Sequence, residues 1–206
     1  MSYDRDAILA EVRDNLYETT ANLWTDAQLV KHMRAEIRSL PRKNIYLEEI
    51  HTTDTVSDQL DYILPTGTLD VEKVERNWGT DTRPDWQEIK GWDEYGGALY
   101  LAERPSTVWT MRVHIKKSFA DLTAGATVSD VPDDKIEVVV WGTCLRAYRQ
   151  LMGYFSDAAN WDSISKPDGL SMSQIQGWYR DARQEYKELV QTYRTTPRPR
   201  DIDLVG

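Results

Sequence analysis

The residue types able to do catalytic or metal chemistry are thinly spread along this chain of 206 residues. Its three histidines, His32, His51 and His114, lie far apart in sequence and in different predicted elements. No H-x-x-x-H or C-x-x-C spacing occurs, so no zinc site is expected. Cys144 is the one cysteine, without a partner for an internal disulfide, and its apolar neighbours mark it as a small buried hydrophobe rather than a nucleophile. There is no G-x-S-x-G elbow and no G-x-x-x-x-G-K-[ST] loop. Residues 91–97 contain glycine but match no phosphate cradle, and they read as a strand-linking loop. Glu48 and Glu49 are the nearest thing to an acid–base pair of the glycosidase kind. Adjacent residues on a strand face opposite sides, so these two cannot share a site. Asp130, Asp133 and Asp134 cluster at a predicted helix start, where the dipole accounts for them without a metal. The chain is therefore not expected to be an enzyme or to carry a cofactor.

The tryptophans are a richer signal. Trp78, Trp86, Trp92 and Trp109 all fall in the middle of the chain. Three readings stand: packing of a small sheet with satisfied indole N–H groups, a protein–protein interface, or a stacking platform for sugars or bases. Trp109 shares the apolar face of the clearest strand and is expected in the core. Trp92, beside Asp93 and Glu94, forms with Tyr95 the candidate contact surface of this region.

Composition narrows the class of protein. Hydrophobic residues make up 40% of the chain, enough for a core, and no apolar run approaches the ~18 residues of a membrane span. The N-terminus lacks the basic and apolar parts of a secretory signal, so synthesis in a cytoplasm is expected. A net charge of −9 argues against reading nucleic-acid sequence, which needs a basic face. The short basic run at residues 34–43 reads as a solvated helix end. An acidic protein can still line a route for DNA, because it repels the backbone and keeps it moving.

The elements that must position these residues follow from periodicity. Ile8, Leu9, Val12, Leu16 and Tyr17 make one apolar stripe of a first helix over 4–17. Thr25 and Gln28 form a capping box opening a second helix, with Leu29, Val30, Met33, Ile37 and Leu40 as its buried face and Pro41 as its end. Extended segments are expected at 45–50, 60–64, 69–78, 99–101 and 108–116, punctuated by Pro- and Gly-containing turns. In the last of these, Trp109, Met111, Val113 and Ile115 point one way and Thr110, Arg112, His114 and Lys116 the other.

Helix returns after residue 130, with Asp130 or Val131 as cap and Pro132 in the first turn. Its apolar surface, from Ile136 through Val139, Val140, Leu145, Tyr148, Leu151 and Met152 to Phe155, is broad enough for burial on more than one side. Ser171 and Gln174 repeat the capping-box spacing before a final helix over 172–194. Ile175, Trp178, Tyr179, Ala182, Tyr186, Leu189, Val190 and Tyr193 share one face of it. The predicted fold class is α+β: a helical base built from both chain ends (1–43 and 120–194), an inserted antiparallel β-rich region (44–119), and an extended tail (195–206).

This order of features resembles the head-to-tail adaptor (connector) proteins of tailed bacteriophages. The resemblance runs over nearly the whole chain. Two helices lead to Asp61-Tyr62-Ile63-Leu64-Pro65, followed by Val71 and Val74, the Trp86 region, Leu99-Tyr100-Leu101 before Pro105, and the Val113 strand. A helix from Ile136 to Met152 comes next, then a last helix carrying Tyr179 and Tyr186. The resemblance implies a virion protein of the neck. It would form a ring, usually of twelve copies, beneath the portal, extending the channel for double-stranded DNA without reading its sequence and docking the next neck or tail protein. It further implies that the last helix and tail engage the portal. In this chain the matching residues are Tyr186, Tyr193, Arg194, Arg198 and Arg200, with Ile202, Leu204 and Val205 beyond them. The alternative is a glycan- or polymer-binding β module of a virion or cell-surface protein, working through exposed tryptophans.

Overall fold

The computed structural model describes residues 3–18, 23–122, 129–156 and 172–194. It is an α+β protein whose chain divides into two compact units, Met1–Ile45 with Ala120–Gly206, and Tyr46–Phe119.

The first unit is helical: α1 (Arg5–Asn15), α2 (Asp26–Ile37), α3 (Ile136–Ser156) and α4 (Met172–Tyr193). Asp4 caps α1 by accepting from the Ala7 N–H at 2.8 Å. Both halves of the α2 capping box are present: Thr25 Oγ1 accepts from the Gln28 N–H, and Gln28 Oε1 accepts from the Thr25 N–H. α3 packs against each of the other three helices. Its sequence explains why. Val138, Val139 and Val140 are all buried, and three successive residues sweep about 200° of a helix. Cys144 is buried, its thiol pushed up to about 12 by burial. Buried Thr143 donates to the Val139 carbonyl at 2.7 Å, one turn back.

Four details depart from expectation. Tyr17 leaves the α1 stripe: it adopts φ +55° just past the helix end and is exposed, whereas Ile8, Val12 and Leu16 are buried. Pro41 does not end α2, which stops at Ile37; it sits instead in the first turn of a 3-10 segment, Leu40–Lys43, where its missing N–H is tolerated. Asp130 caps no helix. Its carboxylate accepts from the Ala120 N–H at 3.0 and 2.8 Å, and α3 is entered through a 3-10 turn, Asp133–Lys135, with Pro132 at the cap position. The segment 91–97 is not a loop. It contains a strand, and Gly96 and Gly97 (φ +63° and +80°) close its hairpin, backbone angles open to glycine. The Ser171 cap and the tail over 195–206 lie outside the described residues.

The second unit holds seven strands in two antiparallel sheets. They are β1 (Leu47–Asp54), β2 (Asp61–Ile63), β3 (Thr68–Asn77), β4 (Trp86–Glu88), β5 (Trp92–Tyr95), β6 (Ala98–Leu101) and β7 (Thr110–Lys117). The first sheet runs β1-β7-β3-β4 and the second β2-β6-β5. Both contribute to one core: Tyr62, Leu64, Leu99 and Leu101 from the second, Val71, Val74, Met111, Val113 and Ile115 from the first. The β7 alternation holds through Ile115 and then breaks. Lys116 is buried too, with its ammonium 2.6 Å from Glu72 and over the Tyr46 ring.

Candidate functional site

The last helix is anchored by a buried carboxylate. Glu36, on α2, is 2% exposed. Its carboxylate accepts from Arg146 Nε of α3 at 2.9 Å, from the Tyr186 hydroxyl of α4 at 2.6 Å, and from Lys43 Nζ. Lys43 also lies 5.0 Å over the Tyr186 ring. Gly142 makes room for this: a Cβ there would stand 2.5 Å from Glu36 side-chain carbons. Three helices therefore meet on one anion whose hydrogen bonds are made within the protein, the condition a buried charge requires. Burial, then Glu36, pushes the Tyr186 hydroxyl well above the usual phenol range, so it stays a donor. Burial likewise lowers the Lys43 pKa, against the pull of Glu36.

Tyr186 is thus half-buried and engaged inside the protein. Tyr193 is half-buried near the end of α4, and Arg194 is exposed. With the Asn44 amide turned so that its oxygen faces Arg194, the guanidinium donates through Nε at 3.2 Å and Nη2 at 3.3 Å. Arg198, Arg200, Ile202, Leu204 and Val205 lie outside the described residues. The opposite face of α4, carrying Arg180, Asp181, Arg183, Glu185, Lys187 and Glu188, is exposed along its length.

On the second unit the structure separates Trp92 from Tyr95. Trp92 is half-buried against the shared core, while Tyr95 is exposed. The exposed tryptophan is Trp78, and the Arg76 guanidinium stacks 3.8 Å over its ring. Trp109 is partly buried against the core, as its strand face requires.

Sequence reasoning missed Glu36, although the spacing of Met33, Glu36, Ile37 and Leu40 puts it on the buried face. A charged residue on an apolar stripe was the available signal. Also missed was the outward face of the second sheet, where Ile63 and Tyr100 alternate with buried Tyr62 and Leu99.

Two further carboxylates are held by hydrogen bonds. Glu75 accepts from Lys73 Nζ and stands 2.7 Å from His114 Nε2; the Lys73 bond first, then His114, holds its carboxyl below the usual range. Asp121 accepts from Arg34 at 2.8 Å and from Arg38, and Arg34 chiefly lowers it. In both cases the folded value lies below the unfolded one, so below the unfolded value of about 4 the unfolded chain binds more protons. The stability these groups contribute is present above that pH and is lost as pH falls through the folded values. Melting curves recorded from about pH 5 down to about pH 3 are expected to show a falling Tm, with a shallower fall in a Glu75→Gln/Asp121→Asn chain. An equal fall in both chains would assign acid sensitivity elsewhere.

Among the described residues, no three His, Cys, Asp or Glu side chains gather into a metal-binding group, and no helix is long and apolar enough to cross a membrane. The features that stand out are packing anchors, the Glu36 cluster above all, and exposed apolar and charged side chains. A family model, that of the SU10 adaptor protein, matches residues 3–202. The chain belongs to this family: it is a phage head-to-tail adaptor protein, a virion component whose neighbours are other head and tail proteins. Comparison with curated proteins gives no match.

Proposed function

We propose that this chain assembles into a ring, of twelve copies, that docks on the portal at the capsid vertex. The ring extends the DNA channel and offers its far side to the next neck or tail protein. The observation that carries this reading is family membership over residues 3–202. Two features support it. Helix α4 is tied to α2 and α3 through Glu36 and Tyr186, yet leaves a continuous charged face outside. The chain then continues past Arg194 into Thr195-Thr196-Pro197-Arg198-Pro199-Arg200, a segment whose prolines disfavour helix and whose arginines suit carboxylates on a partner. We assign Tyr193, Arg194, Arg198, Arg200, Ile202, Leu204 and Val205 to portal contact. Tyr186 supports that contact from inside by fixing the helix. At −9 per copy the ring is strongly acidic, and such a channel repels the DNA backbone and lets it slide.

The test is truncation after Arg194. The shortened chain is expected to keep its far-UV circular dichroism and its Tm while losing binding to purified portal rings, read by co-sedimentation and negative-stain microscopy. A truncated chain that still decorates portal rings would remove the assignment of the tail.

A further inference from the structure

β1 carries an open sheet edge. It stands at one end of the order β1-β7-β3-β4 and pairs with β7 alone. In an antiparallel pair every second residue turns its N–H and C=O away from the partner strand. Among the described residues, those groups of Leu47–Asp54 hydrogen-bond to nothing. Sheets usually blunt such an edge with proline, lysine, a bulge or a very short strand. The other edges are short: β2 and β4 have three residues each and β5 has four. β1 has eight, about 26 Å of strand, with no proline or lysine and an unbroken register on β7. None of its residues is fully buried. An edge this long and regular is a template for an added extended segment.

Reach and chemistry both favour the chain's own tail as that segment. Arg194, the last described residue, donates to the Asn44 amide at 3.2 and 3.3 Å, three residues ahead of β1. Arg200 lies six residues further on and can extend up to about 20 Å, whereas Glu48 is four residues beyond Asn44 and at most about 14 Å away. Residues 200–206 contain no proline, so each has an N–H to donate. Laid parallel to β1 with Arg200 beside Glu48, they match it along its length. Ile202 falls beside Ile50, which is 53% exposed, Asp203 beside His51, Leu204 beside Thr52 and Val205 beside β-branched Thr53. The one like-charge neighbour is Asp201 beside Glu49, and Glu49 already accepts from Lys117 at 2.9 Å. A shift by one residue either way puts an aspartate beside Ile50 instead.

Resting on the portal reading of the tail above, we infer that residues 200–206 of the free chain add to β1 as a parallel edge strand, and that docking withdraws them to the portal. β1 and the portal then compete for the same side chains, Arg200, Ile202, Leu204 and Val205. The tail of the same copy is favoured over that of a neighbour, because the short linker 195–199 holds it at high effective concentration. Parallel pairing is the weaker kind, and along a single edge it suits a contact that must be given up.

Hydrogen exchange read by mass spectrometry on the full-length chain tests this, against the chain ended after Arg194 and against Glu48→Arg/Ile50→Asp, altered only at exposed positions. Amides of Leu47–Asp54 in the unaltered chain are expected to exchange at least about threefold more slowly than in either, at every protein concentration. Glu48→Arg/Ile50→Asp is expected to bind purified portal rings more tightly by the same factor, because the fraction of free tails sets the apparent affinity. Should that variant fold poorly, the truncated chain, which keeps every described residue, still reads the edge. Equal exchange in the full and truncated chains overturns the inference and leaves the portal reading standing on its own test. So does protection that rises with concentration, which places the tail on a neighbouring copy. Protection lost on truncation while portal binding is kept upholds the edge strand and removes the portal reading, and the release with it.

Discussion

Replacing Glu36 with alanine is expected to destabilise the helical unit by about 3–5 kcal/mol, the range for stripping a buried charge network of one partner. The removed carboxylate is the shared acceptor for Lys43, Arg146 and Tyr186. Without it, two cations and a hydroxyl face each other across the space it filled. Lys43 and Arg146 are partly exposed, at 24% and 35%, so water can reach them and the cost should fall in the lower half of that range. For a chain of this size that corresponds to a drop in Tm of roughly 10 °C. Tyr186→Phe removes one donor from an acceptor that keeps two others, and should cost about 1.5 kcal/mol. The double variant is expected to lose less than the two single losses together, since Tyr186 has no anion to serve once Glu36 is gone. Gly142→Ala approaches the same site from the other side. Its Cβ would press on the Glu36 side chain at 2.5 Å and should cost about 1–3 kcal/mol by overpacking. A Glu36→Ala chain melting within about 2 °C of the unaltered one would show the carboxylate to be replaceable by water, contrary to its burial.

How much of this could be read from the sequence depends on the range of the interactions. Local signals were legible. Thr25 and Gln28 predict the α2 cap, and both hydrogen bonds are present. The alternation from Trp109 to Ile115 predicts the central strand and its core face, and Met111, Val113 and Ile115 are buried. The breadth of apolar surface on α3 predicts its central place among the helices. What required distant partners was not legible. The pairing of β7 with both β1 and β3 joins segments far apart in sequence, and nothing local in Leu47–Asp54 names Thr110–Lys117 as its neighbour. Trp92 reads as exposed because polar residues and glycines surround it. A strand at Trp92–Tyr95 turns it inward and its neighbour Asp93 outward. The Glu36 cluster draws on residues 36, 43, 146 and 186, and only Met33 and Ile37 beside Glu36 hint that this charge is buried.

The two faces of β6 and its neighbours should respond oppositely to truncation in one melting experiment. Leu99 is fully buried in the middle strand of the second sheet, where it packs into the core shared with the first. Leu99→Ala removes its methyl-bearing end and leaves a cavity that β-sheet backbone cannot readily collapse, an expected loss of about 2–5 kcal/mol. Ile63, on β2 next to Leu99's partner Tyr62, faces the other way and is exposed, so Ile63→Ala should stay within about 0.5 kcal/mol. Melting and urea curves should show the first variant strongly shifted and the second not. Equal melting losses at both positions would mean that the outward face of the second sheet is covered within a single copy.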